Sequence, residues 1–290
     1  MHAPPFGAVT HAVGHDLSFE ATLELIKRIG FSSILLLTQR DGAVVGSDGT
    51  CESAFPDVLS SDPANVLKAV RNAGLEIAAV HFAGEIDLSS DEAADRFAEA
   101  LEQYARRTIE LECHCLTHAV ASCGEPRRPT ESKADEIARL AGCMNTIADR
   151  FAEHELKVAV DIHHTSWAEG LSDCRLLLDS MPNRNAGILL NIGHLTTAES
   201  YGWLLIDEYP DRIPVVGWKD HSLAKDRPRA MWSVELGKGD SPFALYIDRF
   251  KRHAAERVHL INCEHVPDEE RVDALSRSLQ YLRALWESVS

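Results

Sequence analysis

Four short segments of this sequence run from an apolar stretch directly into titratable side chains. They are KVAVDIHH (157 to 164), ILLNIGHL (188 to 195), VVGWKDHS (215 to 222) and VHLINCEH (258 to 265). A strand that only needs to end can do so with Gly, Asn or Ser, whereas these four carry His, Asp, Glu or Lys at or just beyond their ends. Such side chains can move protons and stabilise charge when they converge. The pattern therefore predicts a catalytic site built from strand ends.

Strand-like and helix-like stretches alternate eight times along the chain, and these elements must position the polar ends. The four earlier strand-like stretches are FGAVTHAV (6 to 13), SSILLL (32 to 37), LEIAAVHF (75 to 82) and CHCLTHAV (113 to 120). Eight βα units in 290 residues predict an α/β fold, a single (β/α)8 TIM barrel in one domain spanning 1–290. A doubly wound open sheet is the alternative, but no G-x-G-x-x-G follows the first strand.

The charge balance restricts the class of partner. Forty-five acidic residues against 29 basic ones give a net charge of -16, which disfavours nucleic acid and anionic membrane surfaces. No stretch approaches 18 consecutive apolar residues, and the seven Cys form no C-x-x-C pair, as is typical of reduced thiols. We expect a cytoplasmic protein that acts on a small polar substrate and uses no nucleotide cofactor. Whether it forms a homo-oligomer is left open.

The strand ends resemble those of the xylose-isomerase-like barrels. The resemblance rests on short motifs at these ends, namely Asp161 with His163, Asn191 with His194 in N-x-G-H, Lys219 with Asp220, ELGKGD at 235 to 240, and Glu264. That superfamily includes sugar and sugar-phosphate isomerases and epimerases, dehydratases and endonuclease IV. The resemblance covers the whole chain and implies the barrel fold and a small sugar or polyol as substrate.

The resemblance also implies a metal site, from which this sequence departs. The family pattern is E-x-H, D-x-G-H, H-x-K-D and a final E, and its ligands are the first Glu, the Asp, the His before K-D and the last Glu. The matching positions are Asp161, Asn191, Gly217 and Glu264, so one ligand has lost its charge and another its side chain. A divalent Mn, Mg or Zn ion remains an open alternative, with other ligands drawn from His163, His194 and His221.

The two acids suggest a mechanism. In such barrels, carboxylates flank a carbon next to a carbonyl, and one removes a proton that the other returns. The resemblance assigns these roles to Asp161 and Glu264, with Lys219 and one or more of His194, His163 and His221 polarising the oxygen. Simpler roles are also open: Glu264 and Lys219 could form a structural ion pair, Asp161 could cap its loop, and His194 could only begin a helix.

Further side chains near the strand ends are candidates for binding the substrate. They are His81, His118, His163, Trp167, Trp218, Arg127, Arg227 and Arg229. An indole face suits the C–H side of a sugar ring, and arginines suit a carboxylate or phosphate, so the substrate could be anionic. Alternatively, the histidines at 81 and 118 are packed core residues and Trp218 points outward against a helix. His11 and His15 could line the rim.

Three functions remain open from the sequence. The first is an isomerase or epimerase of a keto sugar, polyol or related small metabolite, which the two acids favour. The second is a lyase, dehydratase or hydrolase acting on a modified sugar, cyclitol or natural-product intermediate. The third is a ligand-binding barrel without catalysis.

Overall fold

Eight parallel strands of the chain pair side by side and close into a barrel. They are β1 (Phe6–Val9), β2 (Ser33–Thr38), β3 (Glu76–Phe82), β4 (Cys115–Ala119), β5 (Lys157–Asp161), β6 (Ala186–Asn191), β7 (Val215–Trp218) and β10 (Val258–Ile261). Around the barrel the order is β1-β10-β7-β6-β5-β4-β3-β2. Two short strands, β8 (Asp220–His221) and β9 (Ser233–Val234), form a separate antiparallel pair. This computed structural model describes residues 2–14, 16–82, 86–119, 133–164, 166, 168–223, 232–253 and 255–290.

Helices follow the strands along the chain, so the predicted (β/α)8 barrel is confirmed. They are α1 (Phe19–Ile29), α2 (Pro63–Asn72), α3 (Asp91–Glu110), α4 (Lys133–Arg150), α5 (Leu171–Asp179), α6 (Ile192–Thr197), α7 (Leu204–Glu208), α8 (Phe243–Arg252) and α9 (Asp268–Ser288). None of the helices within the described ranges is long and apolar enough to cross a membrane.

Helix α1 shows how the sequence sets these elements. Phe19, Leu23 and Ile26 repeat at helical spacing and are buried, so one stripe of the helix faces the core. The Ser18 side chain accepts a hydrogen bond from the backbone N–H of Ala21 at the start. Gly30 ends the helix in the left-handed region, with φ 107°, where a side chain would be strained.

Strand register brings the predicted polar residues to one level of the barrel. Within the barrel, His81 pairs with Thr117, and Asn191 pairs with Gly217. Because side chains alternate between the two faces of a strand, residues two positions apart point the same way. A Cβ on Gly217 would lie 3.6 Å from Asn191 Cγ, so both positions face the barrel interior. Lys219, two residues beyond Gly217, extends the same face past the strand end.

Candidate active site

A continuous network of polar side chains lies at the carboxyl ends of the strands. Its first part surrounds Asp161, the last residue of β5. The amide of Asn191 donates to Asp161 Oδ1 over 3.1 Å, and His163 Nε2 lies 3.0 Å from Asp161 Oδ2. The His163 ring stacks on the His194 ring, with centroids 4.0 Å apart. Both oxygens of this carboxylate are therefore held by neighbouring side chains.

The second part of the network surrounds Glu264, three residues beyond β10. Lys219 Nζ donates to Glu264 Oε1 over 2.7 Å and lies 3.3 Å from His194 Nε2. Asn262 donates its amide to the same carboxylate oxygen over 2.8 Å. His11 Nε2 lies 3.6 Å from that oxygen. His194 and Lys219 thus connect the two acids, which stand on different strands.

Local structure explains why these side chains converge. Asp161 and His163 are two positions apart, as are Asn262 and Glu264, so each pair shares the inward face. Helix α6 begins at Ile192, directly after β6, and this turn places His194 in the first turn of the helix above the barrel. All of these ends belong to parallel strands, whose carboxyl ends meet at one mouth.

The Glu264 carboxyl is held in its ionised form. Burial raises its pKa, but the positive charge and hydrogen bond of Lys219, together with the nearby His11 ring, outweigh burial and hold the pKa well below its usual range. The carboxylate is still partly open, because 30% of the side chain is exposed. An ionised, partly open acid can accept a proton from a bound molecule.

Asp161 is ionised for a related reason. Burial again raises the pKa, while the charge and hydrogen bond of His163, followed by His81 and Lys219, lower it below the ordinary value. Only 10% of this side chain is exposed. Both acids therefore carry negative charge at neutral pH.

Two histidines of the site, His81 and His194, have pKa values lowered mainly by burial, which favours their neutral form at neutral pH. Burial is the main reason that the pKa of His81 falls to about 4, and its Nδ1 is paired with Thr117 Oγ1 at 2.8 Å. Burial, followed by the charges of His163 and Lys219, holds the pKa of His194 well below its usual range. A ring nitrogen of a neutral imidazole can accept a hydrogen bond, and His194 Nδ1 accepts one from the backbone N–H of His164 over 3.3 Å.

The structure brings most of the predicted site residues together. The predicted side chains that join this network or lie within reach of its charges are His81, Asp161, His163, Asn191, His194, Lys219 and Glu264. His221 lies edge-on to His194, with ring centroids 5.0 Å apart. Its Nδ1 is paired with Thr197 Oγ1 at 2.8 Å, which ties this fully buried ring to α6.

Two predicted substrate-binding residues face away from the barrel interior, so their assignment is corrected. His118 is fully buried against Phe97, at 5.2 Å between ring centroids, with its Nε2 3.0 Å from Met144 Sδ. It follows Thr117, which faces inward, and the alternation of a strand therefore turns it toward the helices. Its place is the packing layer between β4 and helices α3 and α4.

Trp218 is the second correction, for the same physical reason. It lies between the inward positions 217 and 219, and its fully buried ring packs between the barrel and the helices. The ring stacks on His259 at 5.9 Å and meets Phe250 at the same distance. Its Nε1 donates to His259 Nδ1 over 3.0 Å. Trp218 is therefore a core residue.

Several predicted residues cannot be placed, and others were missed. Trp167, Arg127, Arg227, Arg229 and His15 lie outside the described residues. Sequence reasoning missed Asn262 because an amide does not titrate, although its position two residues before Glu264 was a usable signal. His11, proposed for the rim, contacts Glu264 directly.

The role of Asp220 was also missed. Its carboxylate accepts hydrogen bonds from the backbone N–H groups of Gly237, Gly239 and Ser241, at 2.9, 2.9 and 3.0 Å. A Cβ on Gly239 would lie 2.4 Å from Asp220 Oδ1, so the motif needs glycine there. The ELGKGD segment is therefore folded around the acid that follows Lys219, and Asp220 supports the site by holding this loop.

The side chains do not fit the metal site that the resemblance implies. In the part of the chain that the structure describes, no group of three or more His, Cys, Asp or Glu could hold a metal ion. At the four implied positions, Asn191 bonds directly to Asp161, Gly217 offers no ligand, and Glu264 bonds to an ammonium group. A cation ligand set needs free oxygen or nitrogen donors that face one point, and here hydrogen-bond donors face the carboxylates instead.

Comparison with known proteins agrees with this architecture. Residues 23–285 match the family model described as xylose isomerase-like TIM barrel. A search of curated proteins found no match. Similar solved structures include an L-ribulose 3-epimerase, with a TM-score of 0.75, 15% identity, and coverage of 98% of this chain and 95% of that chain. A D-psicose 3-epimerase in the presence of D-fructose has a TM-score of 0.72, 12% identity, and coverage of 98% and 99%.

A third similar structure is a 3-keto-D-glucoside 4-epimerase from E. coli. Its TM-score is 0.71 at 13% identity, and the match covers 97% of this chain and 100% of that chain. At such identities the likeness to these structures shows a shared fold. The family match over most of the chain goes further, and it shows that the chain belongs to the xylose isomerase-like TIM-barrel family.

Proposed function

We propose that this protein is an isomerase or epimerase of a small keto sugar. The observation that carries the proposal is the pair of ionised acids, Asp161 and Glu264, joined by His194 and Lys219 at one barrel mouth. Three structures similar in fold are described as epimerases of keto sugars or of a keto glycoside, which supports the same reaction class.

The proposed chemistry begins with Glu264 as the base. It removes the proton from a carbon next to the carbonyl, and negative charge develops on the carbonyl oxygen as an enediolate forms. The Lys219 ammonium, which His194 Nε2 helps to hold in place, stabilises that charge, because charge-assisted hydrogen bonds are strongest in a site shielded from water. Return of a proton to the same carbon on the opposite face gives the epimer. Return to the neighbouring carbon, with transfer of the hydroxyl proton from one oxygen to the other, gives the isomer.

Asp161 is the proposed acid on the other side. For two-base epimerisation it must hold a proton while Glu264 is ionised, and the reverse reaction exchanges these states. In the free protein its lowered pKa makes the protonated state minor. A substrate that covers Asp161 removes further water from this carboxyl, and desolvation raises its pKa toward the state that the step requires.

Two asparagines favour a substrate rich in hydroxyl groups. Asn191 and Asn262 each direct their amide N–H toward one of the acids, which turns their carbonyl oxygens elsewhere. Within the described residues neither of these buried carbonyl oxygens has a hydrogen-bond partner. Both oxygens are closed to solvent in the free protein, so a sugar hydroxyl donates to them once the amides turn toward the substrate, which offsets the cost of burying them, about 1 to 3 kcal/mol for each group.

The proposal is tested by hydrogen exchange into keto sugars. Purified protein is incubated in D2O with L-ribulose, D-psicose or D-fructose, and proton NMR follows each sample. We expect one carbon-bound proton to be replaced by deuterium while a second sugar of the same skeleton appears. Loss of water from the sugar would indicate a lyase instead. Binding without exchange, detected as protection against heat, would indicate a ligand-binding barrel.

A further inference from the structure

We infer that Lys219 is the resident cation of this site, which therefore needs no divalent metal ion. The binding part of this inference stands on the contacts alone, whereas its catalytic part rests on the proposed function. Lys219 extends from the end of β7 into the mouth, and only 4% of its side chain is exposed. Its Nζ is fixed between Glu264 Oε1 at 2.7 Å and His194 Nε2 at 3.3 Å.

The contacts on both oxygens of Asp161 and on Glu264 Oε1 compete with any metal ion that the two acids could share. Asp161 receives an amide hydrogen from Asn191 and a ring contact from His163, one on each oxygen. Glu264 Oε1 receives hydrogens from Lys219 and Asn262. A divalent ion would have to displace these donors and then lie beside an ammonium group, whose charge repels it.

At two neighbouring positions the sequence differs from the family pattern, and both differences disfavour a bound metal ion. Asn191 and Gly217 pair in register on adjacent strands and face each other in the barrel. An acid at 191 would repel Asp161 unless a cation lay between them, whereas the amide of Asn191 bonds to Asp161 directly. Gly217 leaves this side without a nitrogen ligand. The sequence therefore removes a charge and an imidazole where the resemblance implies metal ligands.

Lys219 supplies the positive charge of this site. Among the described residues, it is the one Lys or Arg side chain that contacts Asp161, His194 or Glu264. Its ammonium carries three hydrogens, and Glu264 takes one of them, so another can be donated to a substrate oxygen. Such a charged hydrogen bond stabilises an enediolate oxygen without a metal ion.

Metal binding by the full-length protein tests the inference without any substrate. Wild-type protein is treated with EDTA, reconstituted with MnCl2 and desalted, and its metal content is measured by mass spectrometry. Free Mn²⁺ is also titrated and followed by electron paramagnetic resonance. We expect no stoichiometric Mn²⁺ in the wild type and no change in its melting temperature when EDTA or MnCl2 is added.

Variants then test which residues are responsible. Asn191→Asp with Gly217→His supplies an acid and an imidazole beside Asp161 and Glu264, and should raise Mn²⁺ affinity by more than ~10-fold. Adding Lys219→Gln to this pair removes the repelling charge and should raise the affinity again. Lys157→Gln, at the opposite end of β5, is the matched control and should leave Mn²⁺ affinity unchanged.

Folding of the variants is checked by circular dichroism, because a Cβ at 217 would lie 3.2 Å from Leu189 Cδ2. If the His variant does not fold, Asn191→Asp alone, with and without Lys219→Gln, gives the same comparison. Stoichiometric Mn²⁺ in the reconstituted wild type would overturn the inference, as would equal affinity with and without Lys219→Gln. If keto-sugar exchange is never observed, the proposed function fails, while the metal measurements still decide this inference.

Discussion

At the scale of single residues, the two acids of the site have different surroundings. Asp161 is bonded to an amide and an imidazole, whereas Glu264 is bonded to an ammonium and an amide. A structural ion pair between Glu264 and Lys219 was the simpler interpretation of the sequence. The contact exists, but the pair lies at the mouth with the carboxylate partly open, and the proposed function uses this cation to stabilise a reacting oxygen as well.

The substitution Glu264→Gln separates these interpretations. Gln keeps the shape and one acceptor oxygen, but it cannot take a proton, so turnover of the exchanging keto sugar should fall at least ~100-fold. The fold should survive, as judged by circular dichroism and thermal melting. As a control, Glu235→Gln removes an acid that pairs with Arg277 and Lys238, and should leave turnover unchanged. Full turnover combined with a lower melting temperature in Glu264→Gln would establish the structural ion pair.

At the scale of elements, periodicity was enough to find the strands and their ends. The stretch predicted at 157 to 164 contains β5, and that at 258 to 265 contains β10. Apolar runs bounded by polar ends are typical of strands buried on both faces. Because parallel strands share a direction, the polar ends had to meet at one mouth, and Asp161, Lys219 and Glu264 could be predicted from this rule alone.

The face of each strand could not be predicted. Both faces of a barrel strand are apolar, so alternation does not reveal which residues enter the interior. His118 and Trp218 were assigned to the site for this reason, and the register places them against the helices. The hydrogen bonds of Asp220 could not be predicted for another reason. Its partners lie 17 to 21 residues away in the sequence and depend on how a loop folds.

The loop held by Asp220 provides a prediction at the same scale. Asp220→Asn keeps one acceptor oxygen but turns an amide N–H toward backbone N–H groups, which leaves buried donors unpaired. We expect a loss of about 1 to 3 kcal/mol in the free energy of unfolding, measured by urea titration. The amides of Gly237, Gly239 and Ser241 should exchange faster with D2O.

The matched control for this loop is Asp240→Asn, whose carboxylate accepts one exposed N–H, that of Leu223. It should change the unfolding free energy by no more than about 0.5 kcal/mol. Equal losses in Asp220→Asn and Asp240→Asn would show that the three hydrogen bonds of Asp220 do not organise the loop.

At the scale of the whole molecule, buried histidines make the fold sensitive to acid. Burial lowers the pKa of His81 to about 4, and lowers those of His118, His221 and His259 to about 3. They lie in the barrel interior, in β8 beside helix α6, and in the packing layer, so their protonation is linked to unfolding of the barrel as a whole. Each stays neutral in the folded protein at a pH where an exposed histidine is protonated.

These histidines predict that stability falls as the pH is lowered. The unfolded chain binds a proton at each of them near pH 6.5, while the folded protein does not until about pH 4 or 3. The unfolded state therefore binds more protons in this window, and each histidine removes up to about 1.4 kcal/mol of unfolding free energy per pH unit. The contribution is complete above pH 6.5 and is lost progressively toward pH 4. The lowered pKa values of Asp161 and Glu264 act in the same direction.

Urea unfolding at several pH values between 7.5 and 4.5 measures this slope in the wild type and in His118→Phe. Phe keeps a ring against Phe97 and Met144 but binds no proton, so the slope between about pH 6 and 4 should decrease by one proton, or about 1.4 kcal/mol per pH unit. His2→Gln, at an exposed position, is the control and should leave the slope unchanged. An identical slope in His118→Phe would mean that His118 takes up its proton in the folded state as readily as in the unfolded chain. The packing layer around β4 would then have to open to water below pH 6, and proton uptake at His118 would no longer contribute to acid unfolding.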